Sequence, residues 1–198
     1  RESLRRTIGS YLPQERSPDE RLILVMNAEE APDGVALVRR LLDDEARDPS
    51  VHLALCDGRG YFNKMNWASF NVPVKTTHVL PMIGDDDILT REAFATLRQT
   101  CAEDVDGIVL FRFVSPHRFI LWDEPRMKMS WISGHCIAVP TRYWPTPFST
   151  RDYPEVDYDW MLAVLARQWA ERRVEPKWLD AVLVVARPDA LTEAHGWR

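Results

Sequence analysis

Residues 21–56 read RLILVMNAEEAPDGVALVRRLLDDEARDPSVHLALC and contain the clearest structural pattern in the chain. Apolar runs at Arg21–Met26 and Val51–Cys56 predict two buried strands, and the polar segment Asn27–Gly34 predicts a loop after the first. Between the runs, apolar residues recur at helical spacing, at Val35, Val38, Leu41 and Leu42. Strand, loop, helix and strand in this order are typical of an α/β fold with an open, mostly parallel sheet.

The rest of the chain continues this alternation on both sides of the quoted segment. Further elements are predicted at residues 1–12 (helix), 78–83 (strand), 90–102 (helix), 107–114 (strand), 157–172 (helix) and 181–186 (strand). Residues 115–154 are rich in Pro, Trp and Arg and show no regular period. We therefore expect one α/β domain over residues 1–198, with helices flanking the sheet and an irregular second half.

Composition excludes several classes of protein. The 198 residues include 30 acidic and 25 basic side chains, so the net charge of −5 argues against a protein that grips phosphate backbones without specificity. No apolar run approaches the ~18 residues needed to cross a bilayer, and we expect no transmembrane segment. Three widely spaced cysteines, at positions 56, 101 and 136, fit neither a disulfide framework nor a zinc knuckle, which predicts a reducing, cytoplasmic setting.

Three adjacent carboxylates, Asp85, Asp86 and Asp87, follow the predicted strand at 78–83. Ligands of open α/β sheets bind at the carboxyl ends of the strands, where these side chains are expected. A divalent cation such as Mn²⁺ or Mg²⁺ would offset the repulsion between the carboxylates and leave coordination positions for phosphate oxygens. Alternatively, the three acids precede a helix and interact with its dipole without any metal.

A second acidic cluster, Glu155–Trp160, opens the last predicted helix. Asp157 in this cluster can face a cleft and take a proton from a hydroxyl as a general base, or it can simply cap the helix. A metal-bound leaving group and a separate carboxylate base are the parts that a group-transfer reaction requires. No Gly-x-Ser-x-Gly, P-loop or Gly-x-Gly-x-x-Gly motif is present, which removes the simplest hydrolase, triphosphatase and dehydrogenase interpretations.

Several segments, taken in order, carry a resemblance to a known family. They are residues 1–14, the run Leu22–Asn27, the pair Asp33-Gly34, Lys64-Met65-Asn66-Trp67-Ala68, Gly84-Asp85-Asp86-Asp87-Ile88-Leu89-Thr90, Gly134, and Val156-Asp157-Tyr158-Asp159. Over nearly its whole length the chain resembles a family 2-type glycosyltransferase of the GT-A fold. The resemblance implies a Rossmann-like sheet, with residues 1–89 as the nucleotide-sugar donor half and residues 90–198 as the acceptor half.

The resemblance also implies a role for particular residues. Asn27, Lys64, Asn66 and Asp85 would contact the nucleotide and the donor. Asp86 and Asp87, in the Asp-x-Asp region, would hold Mn²⁺ or Mg²⁺, and Asp157 would be the catalytic base. The acceptor side would be lined by Gly134, His135, Trp131 and Trp160, although the tryptophans equally fit a packing role in the core.

The activity implied is inverting, metal-dependent transfer of a hexosyl or pentosyl group from a nucleotide-diphospho-sugar to an acceptor hydroxyl. The acceptor class stays open between a glycan, a lipid-linked glycan, a small molecule and a modified nucleic acid. The chain departs from the family pattern at Gly84, where many members have Asp, and at Val156, where they have Glu. It also begins just after the family's first strand, which predicts that the sequence is incomplete at its start.

Two other functions fit the same residues. A metal-dependent phosphohydrolase or nuclease would use the acidic triplet to hold two ions, but it would need further His or Asp ligands. A non-catalytic binding module on a degenerate GT-A fold would explain Gly84, Val156 and the missing strand.

Overall fold

A computed structural model describes residues 2–44, 48–115, 122, 124–129, 131–149 and 155–188. Within them the helices are α1 (Glu2–Tyr11), α2 (Pro32–Asp44), α3 (Tyr61–Asn71), α4 (Ala93–Glu103) and α5 (Val156–Arg172). The strands are β1 (Leu22–Met26), β2 (Val51–Leu55), β3 (His78–Val79), β4 (Ile88–Leu89), β5 (Val109–Val114), β6 (Ile137–Pro140) and β7 (Lys177–Val185). A 3₁₀ turn, Gly134–Cys136, leads directly into β6.

The strands form a two-stranded sheet, β1–β2, and a five-stranded sheet in the order β3–β6–β5–β7–β4. The β1–β2 and β5–β7 pairs are parallel, with five and six paired residues, whereas each antiparallel ladder pairs only two. Most paired residues are therefore in parallel ladders, and the helices flank the strands. The α/β class and the mostly parallel sheet predicted from the sequence are confirmed.

Helix α3 was not predicted from the sequence, because its apolar side chains do not mark a buried face. Phe70 is 65% exposed and Tyr61 is 40% exposed, while the buried positions are the small residues Ala68 and Ser69. Strand β7 also begins earlier than the predicted residue 181, at Lys177. Its pairing with β5 shifts register on either side of Arg112, which interrupts the side-chain alternation of the strand.

The main core surrounds the five-stranded sheet. Every residue of β6 is buried, and Phe111 in the neighbouring β5 is completely inaccessible. The two-stranded sheet contributes Val51 to this core and also packs against a small cluster around Leu4, Ile8 and Val38, but all five residues of β1 are only half-buried. The first sheet therefore has much less apolar burial to hold it in place.

A cavity of about 610 Å³ is lined by residues of both sheets. Strands β1 and β3 contribute to its walls, and so do Tyr61, Lys64, Gly84 and Asp85. These last residues include two of the positions predicted to bind a donor, so the cavity reaches the acidic turn described below. Among the described helices, none combines the length and the apolar character needed to cross a membrane.

Candidate active site

The acidic triplet lies in the turn between β3 and β4, and Asp87 holds that turn together. Its side chain is 1% exposed, and its Oδ2 accepts a 2.7 Å hydrogen bond from the Gly84 N–H. Its Oδ1 accepts a 3.2 Å bond from the Arg187 N–H, and its carbonyl accepts a 2.6 Å bond from the Thr7 hydroxyl. Asp87 therefore fastens α1, the turn and the end of β7 to one another.

Gly84 stands at the position where the resemblance would place another Asp, and the turn has no room for a side chain there. A Cβ at position 84 would lie 2.8 Å from Asp87 Oδ2 and 2.9 Å from Asp86 Oδ1. Distances this short require the carboxylates to move. A side chain at position 84 would therefore displace the carboxylates of Asp86 and Asp87 from their present positions.

Asp86 is the half-exposed carboxylate of the turn, with 42% of its side chain accessible. Partial burial, and then the negative charge of Asp87, raise the pKa of Asp86 above its usual range. Arg187 opposes this shift, because its Nε lies 3.4 Å from Asp86 Oδ2. Arg187 has a left-handed backbone (φ 49°), and no sequence signal connects it to a turn 100 residues earlier.

A divalent cation would need carboxylate oxygens that the protein does not already use. Both oxygens of Asp87 accept hydrogen bonds, which leaves Asp85 and Asp86 as the carboxylates of the turn open to an ion. Within the part of the chain that the structure describes, no three His, Cys, Asp or Glu side chains are grouped to hold a metal by themselves. One or two carboxylates completed by substrate phosphates are the usual protein contribution to Mg²⁺ binding, and Asp85 and Asp86 fit that pattern.

Asp157 lies in the first turn of α5 and faces the 3₁₀ turn before β6. Its Oδ2 accepts hydrogen bonds from the Ser133 hydroxyl at 3.0 Å and from the Gly134 N–H at 3.1 Å. Its Oδ1 accepts a 2.9 Å bond from the N–H of Tyr158. Gly134 is required for the close approach, because a Cβ there would lie 1.6 Å from the sulfur of the buried Met82.

His135 connects Asp157 to the acidic turn. Its Nε2 lies 3.2 Å from Asp87 Oδ2, and its Nδ1 lies 2.7 Å from the Ser133 hydroxyl oxygen. The imidazole also stacks on Phe113, with 5.7 Å between ring centroids and 23° between the planes. The turn that carries Asp86 is thus linked to the carboxylate of Asp157 by an ion-pair contact from Asp87 to His135, which forms when the imidazole is protonated, and by hydrogen bonds through Ser133.

Tyr61, at the start of α3, lies near the carboxylates of both acidic clusters. Although 40% of the residue is exposed, partial burial raises the pKa of Tyr61, and the negative charges of Asp87, Asp157, Asp85 and Asp86 raise it further. Tyr61 was not identified from the sequence, because its helix has no marked amphipathic pattern.

The other residues predicted to bind the donor make contacts within the protein. Asn27 accepts hydrogen bonds from the N–H groups of Glu29 and Glu30 and so shapes the loop after β1. Lys64 forms a 2.9 Å ion pair with Glu30. Both ends of the Asn66 amide bond the backbone of Phe148, 82 residues away.

The predicted acceptor-side tryptophans lie in different environments. Trp160 is 2% exposed, stacks on Phe148 with 4.4 Å between centroids, and donates its indole N–H to the Thr146 carbonyl. Trp131 is half-buried, and Lys128 Nζ lies 3.6 Å from the centroid of its ring. The structure therefore places Trp160 in the core and Trp131 closer to the surface.

The thiol beside His135 does not have the properties of a nucleophile. Cys136 is fully buried, and burial raises its pKa to about 12. Its Sγ donates a 2.9 Å hydrogen bond to the Ser133 carbonyl. A Cys–His dyad requires a thiolate, so this arrangement argues against cysteine chemistry at the site.

The sheet order, the flanking helices and the acidic turn between β3 and β4 together form a GT-A-like fold. Comparison with solved structures agrees: the crystal structure of TarS from S. aureus, a GT-A-like glycosyltransferase, superposes with a TM-score of 0.60 over 97% of this chain, at 13% identity. The chain spans 36% of the length of TarS. No protein-family model and no curated protein matches the sequence.

Proposed function

We propose that this chain is a glycosyltransferase domain that moves a sugar from a nucleotide-diphospho-sugar to an acceptor hydroxyl with inversion at the anomeric carbon. The observation that carries the proposal is the series of contacts from Asp87 through His135 and Ser133 to Asp157, an ion-pair contact followed by two hydrogen bonds. It brings two acidic clusters, about 70 positions apart in the sequence, to one site on a GT-A-like fold.

In this proposal Asp157 is the general base. Its carboxylate takes the proton from the acceptor hydroxyl as the hydroxyl oxygen bonds to the anomeric carbon. The bond from that carbon to the diphosphate oxygen breaks on the opposite face, and the electron pair leaves with the nucleoside diphosphate. Gly134 and Ser133 hold the base through two hydrogen bonds before any substrate arrives.

The leaving diphosphate needs positive charge near it. Asp86, together with Asp85, is the position that would hold Mn²⁺ or Mg²⁺, and the bound ion would supply charge neutralisation on the leaving phosphate. Arg187 lies beside Asp86 and adds a guanidinium at the same place. Lys64 lines the cavity that reaches Asp85 and offers a further cation to the donor.

A two-ion phosphohydrolase or nuclease receives no comparable support. Such a site needs ligands for both ions, and the described residues contain no group of three metal-binding side chains. The binding-module alternative shares the fold of the transferase, so an experiment on turnover separates the two.

The cytoplasmic location of the protein stays a prediction.

The test is a screen of nucleotide-sugar donors with Mn²⁺ or Mg²⁺, in which released nucleoside diphosphate is measured by mass spectrometry. Asp157→Asn keeps the side-chain size but removes the base, and we expect kcat to fall by about 10²- to 10⁴-fold with donor binding retained. Asp159→Asn, two residues along on an exposed position of the same helix, is the matched control and should keep wild-type turnover. Turnover of Asp157→Asn near that of the control would remove Asp157 from the mechanism. Donor binding without release of nucleotide by the wild-type chain would favour the binding module.

A further inference from the structure

The two oxygens of Asp157 have different surroundings. Oδ2 accepts two hydrogen bonds, from the Ser133 hydroxyl and the Gly134 N–H. From the described residues Oδ1 accepts one, from the N–H of Tyr158. A carboxylate oxygen has about two lone-pair sites, so Oδ2 is fully used by the protein and Oδ1 keeps one site for a further donor.

Ser133 can donate to Asp157 only in one arrangement of its hydroxyl. A hydroxyl has a single proton, and here that proton points to Asp157 Oδ2. The Ser133 oxygen therefore accepts from the backbone N–H of His135 at 3.5 Å and, when the imidazole carries a proton on Nδ1, from that nitrogen at 2.7 Å. His135 thus helps to fix the direction in which the serine donates through both its backbone and its imidazole.

The imidazole is itself held on two sides. Its Nε2 faces the oxygen of Asp87, which is 1% exposed and fastened to the turn by the Gly84 N–H. Its ring plane is set by stacking on Phe113 in β5. Rotation of the ring would break both contacts, and the Nδ1 atom is therefore kept directed at Ser133.

We propose that Ser133 and His135 are positioning residues that occupy Oδ2 of Asp157 and so direct Oδ1 to take the proton of the acceptor hydroxyl. This inference rests on the proposed transferase function and assigns the base to one atom. It also gives Asp87 two roles, because the same side chain holds the turn that carries Asp86 and contacts the imidazole that orients the base.

The first test compares Ser133→Ala with Ser133→Thr. Loss of the hydroxyl should lower kcat by about 10- to 100-fold and change the KM for the acceptor by less than about threefold, since the substrate does not touch Ser133. Threonine restores the hydroxyl, so most of kcat should return. Ser69→Ala, which removes a serine bond to the Asn66 carbonyl in α3, is the matched control and should change neither kcat nor KM.

The second test separates the two nitrogens of His135. An Asn amide can reproduce the Nδ1 donor to Ser133, whereas a Gln amide reaches the position of Nε2. We expect His135→Asn to keep most of kcat and His135→Gln to lose it as Ser133→Ala does. This comparison also covers the case in which Ser133→Ala fails to fold.

The outcomes distinguish this inference from the proposed function. If Asp157→Asn is inactive while Ser133→Ala keeps wild-type kcat, the positioning role is overturned and the transferase stands. If His135→Gln is as active as His135→Asn, the serine is not oriented by Nδ1. If Asp157→Asn itself retains turnover, the proposed function fails and this inference fails with it.

Discussion

The two sheets hold their polar groups in different ways. On the five-stranded sheet, Asp157 and Ser133 are fastened by hydrogen bonds to a 3₁₀ turn that packs against the wholly buried strand β6. On the two-stranded sheet, the loop after β1 is held by the buried Asn27 and by ion pairs of Glu29 and Glu30, of which the Arg59–Glu29 pair has side chains 72% and 76% exposed. Exposed ion pairs contribute little to stability, so this loop depends more on surface contacts than the turn beside Asp157 does.

This difference indicates how the proposed reaction divides between the sheets. A base must be in place before the hydroxyl attacks, and catalytic geometry is best supported by a rigid, packed framework. The donor side can adjust when a diphosphate replaces its internal ion pairs. We therefore expect changes on the five-stranded side to lower kcat and changes on the β1–β2 side to alter the KM for the donor.

Gly134→Ala should have the largest effect, because it disrupts the tightly packed turn on the five-stranded sheet. The new methyl group would lie 1.6 Å from the sulfur of Met82, which is 2% exposed, and the turn must move. We expect a loss of about 3 kcal/mol of unfolding free energy, the upper end for an overpacked core, and at least a tenfold loss of kcat because the Gly134 N–H no longer reaches Asp157. Urea denaturation and initial rates measure the two effects.

The matched control for Gly134→Ala is Gly9→Ala. Gly9 lies inside α1, and among the described residues no atom beyond the helix backbone comes within 4 Å of the place that an added methyl group would take. Alanine there should therefore stabilise the helix by roughly 0.5–1 kcal/mol. Adding Met82→Ala to Gly134→Ala should recover part of the stability, since it removes the clash. Equal stability of Gly134→Ala and the wild type would contradict the packing argument.

Asp48→Asn tests whether the two-stranded sheet is loose throughout. Asp48 precedes β2, and its 2.7 Å contact with Arg16 and its bonds from the Ser50 hydroxyl and N–H lower its pKa to about 2. The Ser50 hydroxyl is the largest cause of the shift. A shift of this size corresponds to up to about 2 kcal/mol, and the side chain is only 18% exposed. We expect the end of this sheet opposite the site to be firmly held.

The pH dependence gives the sign of the Asp48 effect. A lowered folded-state pKa stabilises the protein above the unfolded pKa near 3.8, and this contribution is lost as the pH falls towards 2. The difference in unfolding free energy between the wild type and Asp48→Asn should therefore be full at pH 7 and vanish near pH 2. Asp43→Asn, at an exposed position of α2, is the control. A difference that stays constant down to pH 2 would remove the carboxylate as its origin.

Local patterns in the sequence predicted many of the strands and helices, including β1, α2, β2 and α5, but they missed β6, although every residue of that strand is buried. They also predicted Asp86 and Asp157 as candidate site residues, because clustered acids are visible in the sequence alone. The split into two sheets was not predictable, since pairing joins distant segments. Ser133 and Arg187 were missed for the same reason: their contacts with Asp157 and Asp87 span 24 and 100 residues.

The smallest effect on stability is expected at the Lys64–Glu30 pair. Variants of this pair test most directly whether the β1–β2 side acts on the KM for the donor. Lys64 lines the cavity that reaches Asp85, but its ammonium is 2.9 Å from Glu30 and is therefore partly neutralised. Lys64→Ala should leave the unfolding midpoint almost unchanged and raise the KM for the donor by roughly 2- to 5-fold, because one cation near the diphosphate is lost. Glu30→Gln should act in the opposite direction, since it frees the same ammonium for the donor. Steady-state kinetics at low ionic strength measure both shifts, and changes of the same sign in the two variants would show that the ion pair shapes the loop instead of competing with the donor.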